Sequence, residues 1–366
     1  MNGKDVGDSA KKLTVSDVEV ELSCGFEAGQ ASFSLFDCYN MIESSFEYDL
    51  FKKYIALGSP VIIYLGYNKV VREVFRGIIV RVDFVVDDVM APHVKVTAMD
   101  VKSIMMANHY HKKLEAENYS GAVKEIFDQS IYQNLMGDDN VIKKLAIQST
   151  PDAMEMEMEE PGGETDTSIE MVGESDYEFI VRAAKKFNYE FYCIGGQVLF
   201  REARCDTSTL LSFSNDTKIM NLDVSYDITG LVGKVTVRGL DVGKAKVVES
   251  SMKHNLKISS KSYAKKLIGE SEYVFVDPTV TSKGDAQNRS YYLFDDMSYR
   301  FGTLDMEIVG LPEVIPGRFI EIVDFGDTVS NTFYVTKVNH KMNTEGIYTT
   351  RIIGRANKIG RASCRE

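Results

Sequence analysis

Alternation of apolar and polar residues is the feature that most limits what this chain can fold into. Residues 18–23 and 31–37 alternate with a period of two, which is typical of strands that bury one face. Residues 60–67, 73–88 and 93–100 are richer in apolar and β-branched residues, as in strands covered on both faces. Five strands without an intervening helix predict a small antiparallel barrel or sandwich.

The pattern changes between residues 104 and 205, where helical spacing appears. Ser120 is predicted to cap a helix with the apolar face Val123, Ile126, Phe127 and Ile131. Ser175 with Glu178 three residues later predicts a capping box. The apolar stripe of that helix consists of Tyr177, Ile180, Val181, Ala184 and Phe187.

The second helix leads into a hairpin. Ile180 and Phe187 are expected in its core, whereas Phe179 falls at the edge of its stripe. Residues 190–202 then predict a hairpin that turns at Gly195-Gly196. The Met/Glu-rich segment 151–167, which ends in Pro-Gly-Gly, is interpreted as a mobile acidic surface loop.

Strand-like segments return after residue 206. They lie at 219–227, 233–241, 303–310, 318–326, 332–342 and 348–354, and a helix is expected near 285–299.

The order of the elements therefore predicts a mainly β chain with an α+β insert. The expected divisions are a disordered arm (1–14), a first β-domain (15–103), an α/β insert (104–205), a second β-domain (206–358) and a tail (359–366). The tail resembles a translated sequencing adapter and is expected to be non-native, so the natural chain is expected to continue differently.

Charge and cysteine content limit the function classes. The chain has 366 residues, with 42 Lys and Arg against 54 Asp and Glu and a net charge of −12. This balance argues against a general binder of nucleic acid or anionic membrane. The N-terminus lacks the apolar segment of a signal peptide, and no apolar run is long enough to span a membrane. Reduced thiols are expected at Cys24, Cys38, Cys193, Cys205 and Cys364.

Motifs that suggest enzyme chemistry are isolated. Asp324-Phe325-Gly326 matches a kinase triplet without the accompanying kinase motifs. His109 and His111 share one face of an extended segment, but the other histidines (His93, His254 and His340) are scattered. The carboxylate pairs Asp87-Asp88, Asp138-Asp139 and Asp295-Asp296 are sequence neighbours whose side chains point apart. Asn118, Asn215 and Asn288 begin accidental glycosylation strings. We therefore expect no enzyme and no catalytic, cofactor or metal site.

Three segments in order indicate a family. They are Phe75-Arg76-Gly77-Ile78, the capped helix from Glu174 to Ile180 with Asn188-Tyr189 at its end, and Gly310, Pro312, Pro316 and Gly317 before the final hairpin. Together they resemble the phage late control gene D family, which is related to the N-terminal trunk of VgrG spike proteins and to baseplate hub proteins. Asn188 stands where that family usually has glycine, and asparagine tolerates the left-handed conformation of a helix end.

The resemblance implies two tube-like antiparallel β-barrel domains that flank the small α/β domain. It also implies a structural role as a homotrimeric, pseudo-hexameric hub that joins the sixfold tail tube to the threefold spike. Expected partners are the tube protein, the spike and other baseplate proteins, with DNA or an effector passing through the lumen without specific binding. The protein would be made in the bacterial cytoplasm and built into a virion tail or injection machine.

Two alternatives stay open at this point. The chain could be the trunk of a truncated VgrG-type spike, or of a tail-tip cell-wall hydrolase whose catalytic domain is missing. A carbohydrate-binding β-protein is disfavoured, since Trp is absent. If the chain lines a channel for DNA, a neutral or acidic wall is expected, and the outward residues Glu19, Glu21, Glu307 and Glu321 are candidates for it.

Overall fold

The computed structural model describes residues 14–52, 54–67, 70–88, 90–150, 169–241, 244–253 and 263–358. The acidic loop 151–167, the tail 359–366, Cys364 and His254 lie outside the described residues. So does the predicted N-terminal arm, apart from Thr14, which begins the first strand.

The strands of the described residues follow the predicted order and extend it. They are β1 (Thr14–Ser23), β2 (Gln30–Phe36), β3 (Tyr39–Asn40), β4 (Ser45–Phe46), β5 (Pro60–Tyr67), β6 (Val70–Val85), β7 (His93–Met99), β8 (Tyr110–Leu114), β9 (Lys144–Ile147), β10 (Ile169–Glu174), β11 (Tyr189–Ile194), β12 (Gln197–Glu202), β13 (Thr209–Phe213), β14 (Ile219–Tyr226), β15 (Lys234–Asp241), β16 (Lys246–Lys253), β17 (Glu272–Val276), β18 (Gly302–Val309), β19 (Phe319–Ile322), β20 (Asn331–Met342) and β21 (Tyr348–Ala356).

The helices of the same residues are mostly short. They are α1 (Tyr48–Phe51), α2 (Lys102–Met105), α3 (Tyr119–Phe127), α4 (Ser130–Gln133), α5 (Asp176–Phe187), α6 (Tyr263–Gly269), α7 (Lys283–Ser298) and α8 (Gly326–Val329). None of the described helices is long and apolar enough to cross a membrane.

One 11-stranded sheet contains strands from both halves of the chain, in the order β14-β18-β21-β20-β1-β2-β7-β6-β5, with β19 paired to β20 and β13 paired to β19. Strand β20 connects its two halves. One edge of β20 pairs with β21, and the other edge pairs with β19 over residues 331–334 and with β1 over residues 337–342. The fold is therefore mainly β with a large antiparallel sheet, as predicted, and closure of either half into a barrel stays a prediction.

The apolar residues of the predicted alternation lie on the buried face of the first strand. Val18, Val20 and Leu22 of β1 are buried, and they share a cluster with Leu35 and Val96 of the neighbouring strands. A separate cluster in the second half is built from buried residues of β18, β19, β20 and β21. Burial of a side chain such as Leu or Val stabilises the folded state by about 1.5–3 kcal/mol, so these two clusters hold the two halves of the sheet.

The α/β insert has its own core, between α3, α5 and the hairpin β11–β12. The prediction that Ser120 caps α3 was wrong: the cap is Asn118, whose Oδ1 accepts a hydrogen bond from Gly121 N at 2.7 Å. Ile131 is 41% exposed, and its neighbour Tyr132 is buried in its place. The hairpin turn at Gly195-Gly196 is confirmed.

The sequence patterns missed eight of the described strands, which are β3, β4, β8, β9, β10, β13, β16 and β17. Strand β13 pairs with β19, while β16 and β17 flank β15 in a small sheet against which α7 packs. The predicted helix near 285–299 is α7, and its residues Ala286 and Ser290 face the core.

Candidate functional site at the junction of the insert and the sheet

The capped helix α5 is the centre of the junction between the insert and the large sheet. Ser175 Oγ accepts from Glu178 N at 3.1 Å, and Glu178 Oε2 accepts from Ser175 N at 2.8 Å, so the predicted capping box is present. The helix ends at Asn188, which has the left-handed φ of 57°. Such reciprocal capping satisfies backbone donors that the first turn would otherwise leave unpaired.

Asp176 accepts hydrogen bonds from three donors within residues 108–132, which precede α5 in the chain. The side chain of this residue is fully buried, and it accepts hydrogen bonds from the hydroxyls of Tyr110 and Tyr132. Asn108 Nδ2 donates to it at 3.1 Å. Burial, with Asp176 beside it, raises the pKa of Tyr110 to about 12, so its hydroxyl remains a donor at neutral pH. The motif carboxylate therefore binds β8 and α4 to the start of α5.

The next motif residues attach α5 to the first half of the sheet. The hydroxyl of Tyr177 donates to the carbonyl of Phe26 at 3.0 Å, in the loop between β1 and β2. The same loop is held from α2, because Lys102 Nζ donates to the carbonyl of Glu27 at 2.8 Å. Lys102 is fully buried and lies 5.2 Å from the ring centre of Phe191. A buried ammonium is costly unless it is hydrogen-bonded, so the loop carbonyls are its necessary partners.

Asp100 completes this contact at the end of β7. Its Oδ2 accepts from Gly29 N at 2.7 Å, and its Oδ1 accepts from Lys102 N at 2.9 Å. Burial raises the pKa of Asp100, and the nearby Lys102 and the two backbone donors oppose this shift. Both backbone donors are thereby satisfied inside the protein.

The first motif block attaches β6 to the insert. Arg76 is buried, and its Nη1 donates to the carbonyl of Asp138 at 2.5 Å, while its Nε pairs with Glu73 at 2.6 Å. At Gly77 the strands approach closely, because a Cβ there would lie 2.3 Å from the carbonyl oxygen of Met99. Position 76 therefore requires arginine, because its guanidinium donates to several acceptors at once. Position 77 requires glycine, because a side chain would not fit between the strands.

The third motif block attaches the second half of the sheet to the insert hairpin. Gly317 has a φ of 78°, and a Cβ on it would lie 2.1 Å from the hydroxyl oxygen of Tyr192. Arg201 Nη2 donates to the carbonyl of Gly317 at 2.7 Å and to the hydroxyl of Tyr192 at 2.8 Å. Gly310, at the start of this block, leaves room for the ring of Tyr348. Each of the three motif blocks thus contacts the insert or positions a segment that contacts it.

Buried polar and charged side chains also link the insert hairpin to β20 and link Arg204 to α7. Tyr334 of β20 donates to Glu190 of β11, and Arg204 pairs with Asp295 of α7. Burial raises the pKa of Glu190, and Tyr334, Arg204 and Arg201 oppose the shift. Removing one partner of such a group strongly destabilises a protein, because the other charge stays buried.

The residues singled out as possible chemical sites are not brought together. His109 is 62% exposed at its side chain and lies 3.4 Å from Glu178. The described part of the chain contains no group of three or more His, Cys, Asp or Glu residues that could hold a metal ion. Burial raises the pKa of Cys24 to about 12 and that of Cys193 well above its usual value, so both thiols are unreactive at neutral pH. Gly326 of the kinase-like triplet begins the short helix α8.

One family model matches most of the chain, including the capped helix and the three motif blocks. The model described as the Alg8 N-terminal domain matches residues 8–344. The chain belongs to this family. No curated protein sequence matches the chain. The specific assignment to the late control gene D family stays a prediction.

Solved structures show where this fold occurs. A tail protein from Neisseria meningitidis MC58 covers 95% of this chain and 98% of its own length, with a TM-score of 0.65 and 11% identity. The 43 kDa tail protein of prophage MuSo2 from Shewanella oneidensis covers 93% and 97%, with a TM-score of 0.63 and 10% identity. The E. coli c3393 protein, a component of the type VI secretion system, covers 96% and 75%, with a TM-score of 0.54 and 9% identity.

The outward acids of the sheet have basic or amide neighbours. Glu19 accepts from Asn339 Nδ2 at 2.8 Å, and Lys337 Nζ lies 3.8 Å from Glu21. Arg351 is the cross-strand neighbour of Glu307 and pairs with Asp305. This face of β1, β18, β20 and β21 is therefore mixed in charge rather than predominantly acidic. Glu321 lies apart from it, on β19.

Sequence reasoning missed most of the functional residues of the junction. Asp100 and Lys102 were unremarkable in sequence, although both are buried and join α2 to the β1–β2 loop. Lysine is almost never fully buried without partners, so composition favours an exposed position. The only available signal was the turn-rich sequence of residues 24–30, whose carbonyls the structure shows to be the partners of Lys102.

Proposed function

We propose that this chain is the structural hub of a phage tail or related contractile injection machine. The observation that carries the proposal is the fold match over nearly the whole chain, since a Neisseria meningitidis tail protein covers 95% of it and is itself 98% covered. The match includes both halves of the large sheet and the insert between them. A hub of this kind joins the sixfold tail tube to the threefold spike.

The proposed assembly is a homotrimer with a pseudo-sixfold ring of β-domains. Each chain offers two β halves joined through β1 and β20, so three chains present six. A closed cyclic trimer would match a sixfold neighbour on one side and a threefold neighbour on the other. The proposed partners are the tail tube protein, the spike and other baseplate proteins.

The proposed role is structural rather than catalytic. The buried charged groups of the junction are engaged in holding one segment to another, as Lys102 holds the β1–β2 loop and Arg76 holds the 138–140 segment. The charge-mixed outer face supports a lumen wall that lets DNA or an effector pass without specific binding, because phosphate capture needs a predominance of Lys and Arg. The protein would be made in the bacterial cytoplasm and then built into the tail.

Light scattering at several concentrations tests the proposal. The full-length chain should reach three times its monomer mass as the concentration rises, and it should co-purify with the tube protein encoded beside it. A strictly monomeric chain that also fails to bind the neighbouring tube protein would contradict the proposal. The gene sequence beyond residue 358 separates a stand-alone hub from the trunk of a longer spike or hydrolase.

A further inference from the structure

The described residues between 233 and 298 form a lobe that leaves the large sheet and returns to it at one point. Strands β14 and β18 are hydrogen-bonded neighbours, and Tyr226 at the end of β14 pairs with Gly302 at the start of β18. The chain between them builds the small sheet β15–β17 and α7, which packs against that sheet. The two connections of the lobe therefore lie side by side, as the two strands of a hinge do.

We call residues 227–232 and 299–301, which connect the lobe to β14 and β18, the hinge. One small apolar cluster lies there and consists of Tyr226, Leu231, Ile268 and Phe301. Only one of these four side chains belongs to the lobe, and the others belong to the hinge or to β14. A contact at the pivot separates less than a distant one when the lobe rotates, so this cluster does not oppose such a motion strongly.

Away from the hinge, the lobe and the insert have separate apolar cores. The core of the lobe consists of Val237, Val280 and Ala286, with Val248, Phe275 and Leu293 packed against it. Among the described residues, the core of the insert contains no side chain of the lobe. Hydrophobic burial is the main force that holds two packed parts together, so an interface without a shared apolar core permits relative motion of the parts.

Two polar contacts of α7, which we call the latch, hold the lobe against the insert. At the start of α7, the side chain of Asp285 is 8% exposed and lies 2.7 Å from Lys186 Nζ of α5. Near the end of α7, Asp295 accepts from Asn188 Nδ2 at 3.3 Å and from Arg204 Nε at 3.0 Å. The two carboxylates are about 15 Å apart along the helix axis, because each residue adds about 1.5 Å. Asp285 therefore holds the end of α7 that is distant from the hinge.

The latch is balanced against hydration of the same groups. Asn188 Oδ1 is buried and has no hydrogen-bond partner in the closed position. When the lobe opens, water can pair with this oxygen and with the separated charges, which offsets part of the free energy that opening costs. Opening also makes Lys186 accessible, together with the ring of Tyr119, whose centre lies 5.1 Å from Lys186 Nζ.

We propose that the lobe is a hinged arm, which moves between the closed position and an open one, and that the latch sets the balance between them. The opposite charges of the latch favour the closed position, whereas salt and hydration of the separated charges favour the open one. This inference goes beyond the hub proposal, because it concerns a motion within one chain and does not require a trimer.

Distance measurements between two nitroxide spin labels on the full-length chain test the motion. One label is attached to the lobe through Val247→Cys, and the other is attached to the insert through Asp128→Cys, both at exposed positions. Cys205 and Cys364 are first replaced by serine. The other three thiols need no replacement, because burial raises their pKa and keeps them unreactive.

Reversing one charge of the latch should open the lobe. Asp285→Lys places a second cation beside Lys186 and should raise the ratio of open to closed lobes at least about tenfold, because an unpaired charge in the contact destabilises the closed position. Adding Lys186→Glu re-forms the ion pair with reversed signs and should restore the closed distance. The matched control is Asp296→Lys, whose carboxylate pairs with Arg300 four residues later, and it should leave the distance unchanged. Added salt should shift the chain with the intact latch in the same direction as Asp285→Lys.

Hydrogen exchange of β15, the central strand of the small sheet, separates motion of the lobe from its unfolding. In the Asp285→Lys protein, β15 should stay protected while the distance between the labels changes. An unchanged distance in this variant would overturn the hinged arm. Loss of protection in β15 together with the change in distance would also overturn it, because the lobe would then unfold instead of rotating. A charge swap that fails to restore the closed distance would exclude the latch as the control.

Discussion

Replacing Asp176 with alanine should destabilise the insert more than any other single change of a charged residue in its helix. The carboxylate is fully buried and accepts from Tyr110, Tyr132 and Asn108. Tyr110 also bonds Gln129, at 3.0 Å, whereas the buried hydroxyl of Tyr132 loses the carboxylate to which it donates. The lost charge-assisted bonds and the stranded donor together should cost about 3–5 kcal/mol, the range for breaking a buried charged network.

A double-mutant cycle of Asp176 and Tyr132 tests whether the hydrogen bond between them stabilises the insert. Tyr132→Phe alone removes one donor to Asp176 and should cost about 1–3 kcal/mol. In the Asp176→Ala background the same change removes a stranded hydroxyl, so it should cost nothing or restore stability. The measurement is the midpoint of chemical denaturation by far-ultraviolet circular dichroism, because the chain has no Trp. Hydrogen exchange of residues 176–187 reports the insert separately.

The control for the cycle is Asp128→Ala, at an exposed carboxylate that ends α3. Its effect should stay within about 0.5 kcal/mol, as for ordinary surface changes. An Asp176→Ala protein as stable as the control, or a Tyr132→Phe cost that is equal in both backgrounds, would refute the role assigned to the carboxylate.

Three further changes have expected outcomes. Gly317→Ala should lower the denaturation midpoint more than Gly346→Ala, because both have φ near 77° but only the first would press a Cβ against a side chain; equal losses would contradict the close contact. Phe179→Ala should cost about 3–5 kcal/mol and exceed Phe187→Ala, since Phe179 is fully buried and Phe187 is 9% exposed; the reverse order in the same denaturation assay would contradict this. Burial lowers the pKa of His340 from 6.5 to about 4, against the smaller effects of Val314 and Glu313, so the unfolded chain binds more protons between these values and stability should fall as the pH drops through them. His340→Gln should flatten that part of the stability profile, and an unchanged slope would exclude His340 as its cause.

The strands of the large sheet could be predicted because they bury one face each. Val18, Val20 and Leu22 show the alternation directly, and their burial follows it. Strand β16 could not be found in this way, because its residues 246–253 are exposed or half-buried and carry no apolar repeat. A strand at the edge of a small sheet is held by backbone pairing with its neighbour, which leaves little trace in composition.

The helices show where local patterns are overridden by tertiary contacts. Ser120 and Asn118 are both good capping residues, but the hydroxyl of Ser120 is engaged with Asn118 and its backbone N–H with Thr150. Phe179 lies at the edge of its helical stripe, yet Tyr119 stacks on its ring at 6.2 Å between centroids. Thr150 and Tyr119 lie 30 or more residues from the helical residues that they contact, so the periodicity of one helix cannot reveal them.

The motif residues of the candidate site could be predicted from the sequence, but the residues that they contact could not. The capping box of Ser175 and the tight turn at Gly317 follow from local chemistry. The burial of Asp176 and of Lys102 depends on which segments the fold brings beside them. A single sequence contains no pattern for such contacts, because the residues involved are far apart in the chain.

The pairing of β1 with β20 leaves one edge of β1 unpaired for most of the synthesis of the chain. Val20 pairs with His340, so one edge of β1 can pair with β2 at once, whereas its other edge finds its partner only after more than 300 further residues have been made. At translation rates of about 5–20 residues per second, this interval lasts roughly 15–60 s. The free edge of β1 can meet other nascent chains during that time, and unpaired edges favour aggregation. Slow translation before residue 331 or a shortage of chaperones should therefore lower the yield of this protein more than that of a chain with local strand pairing.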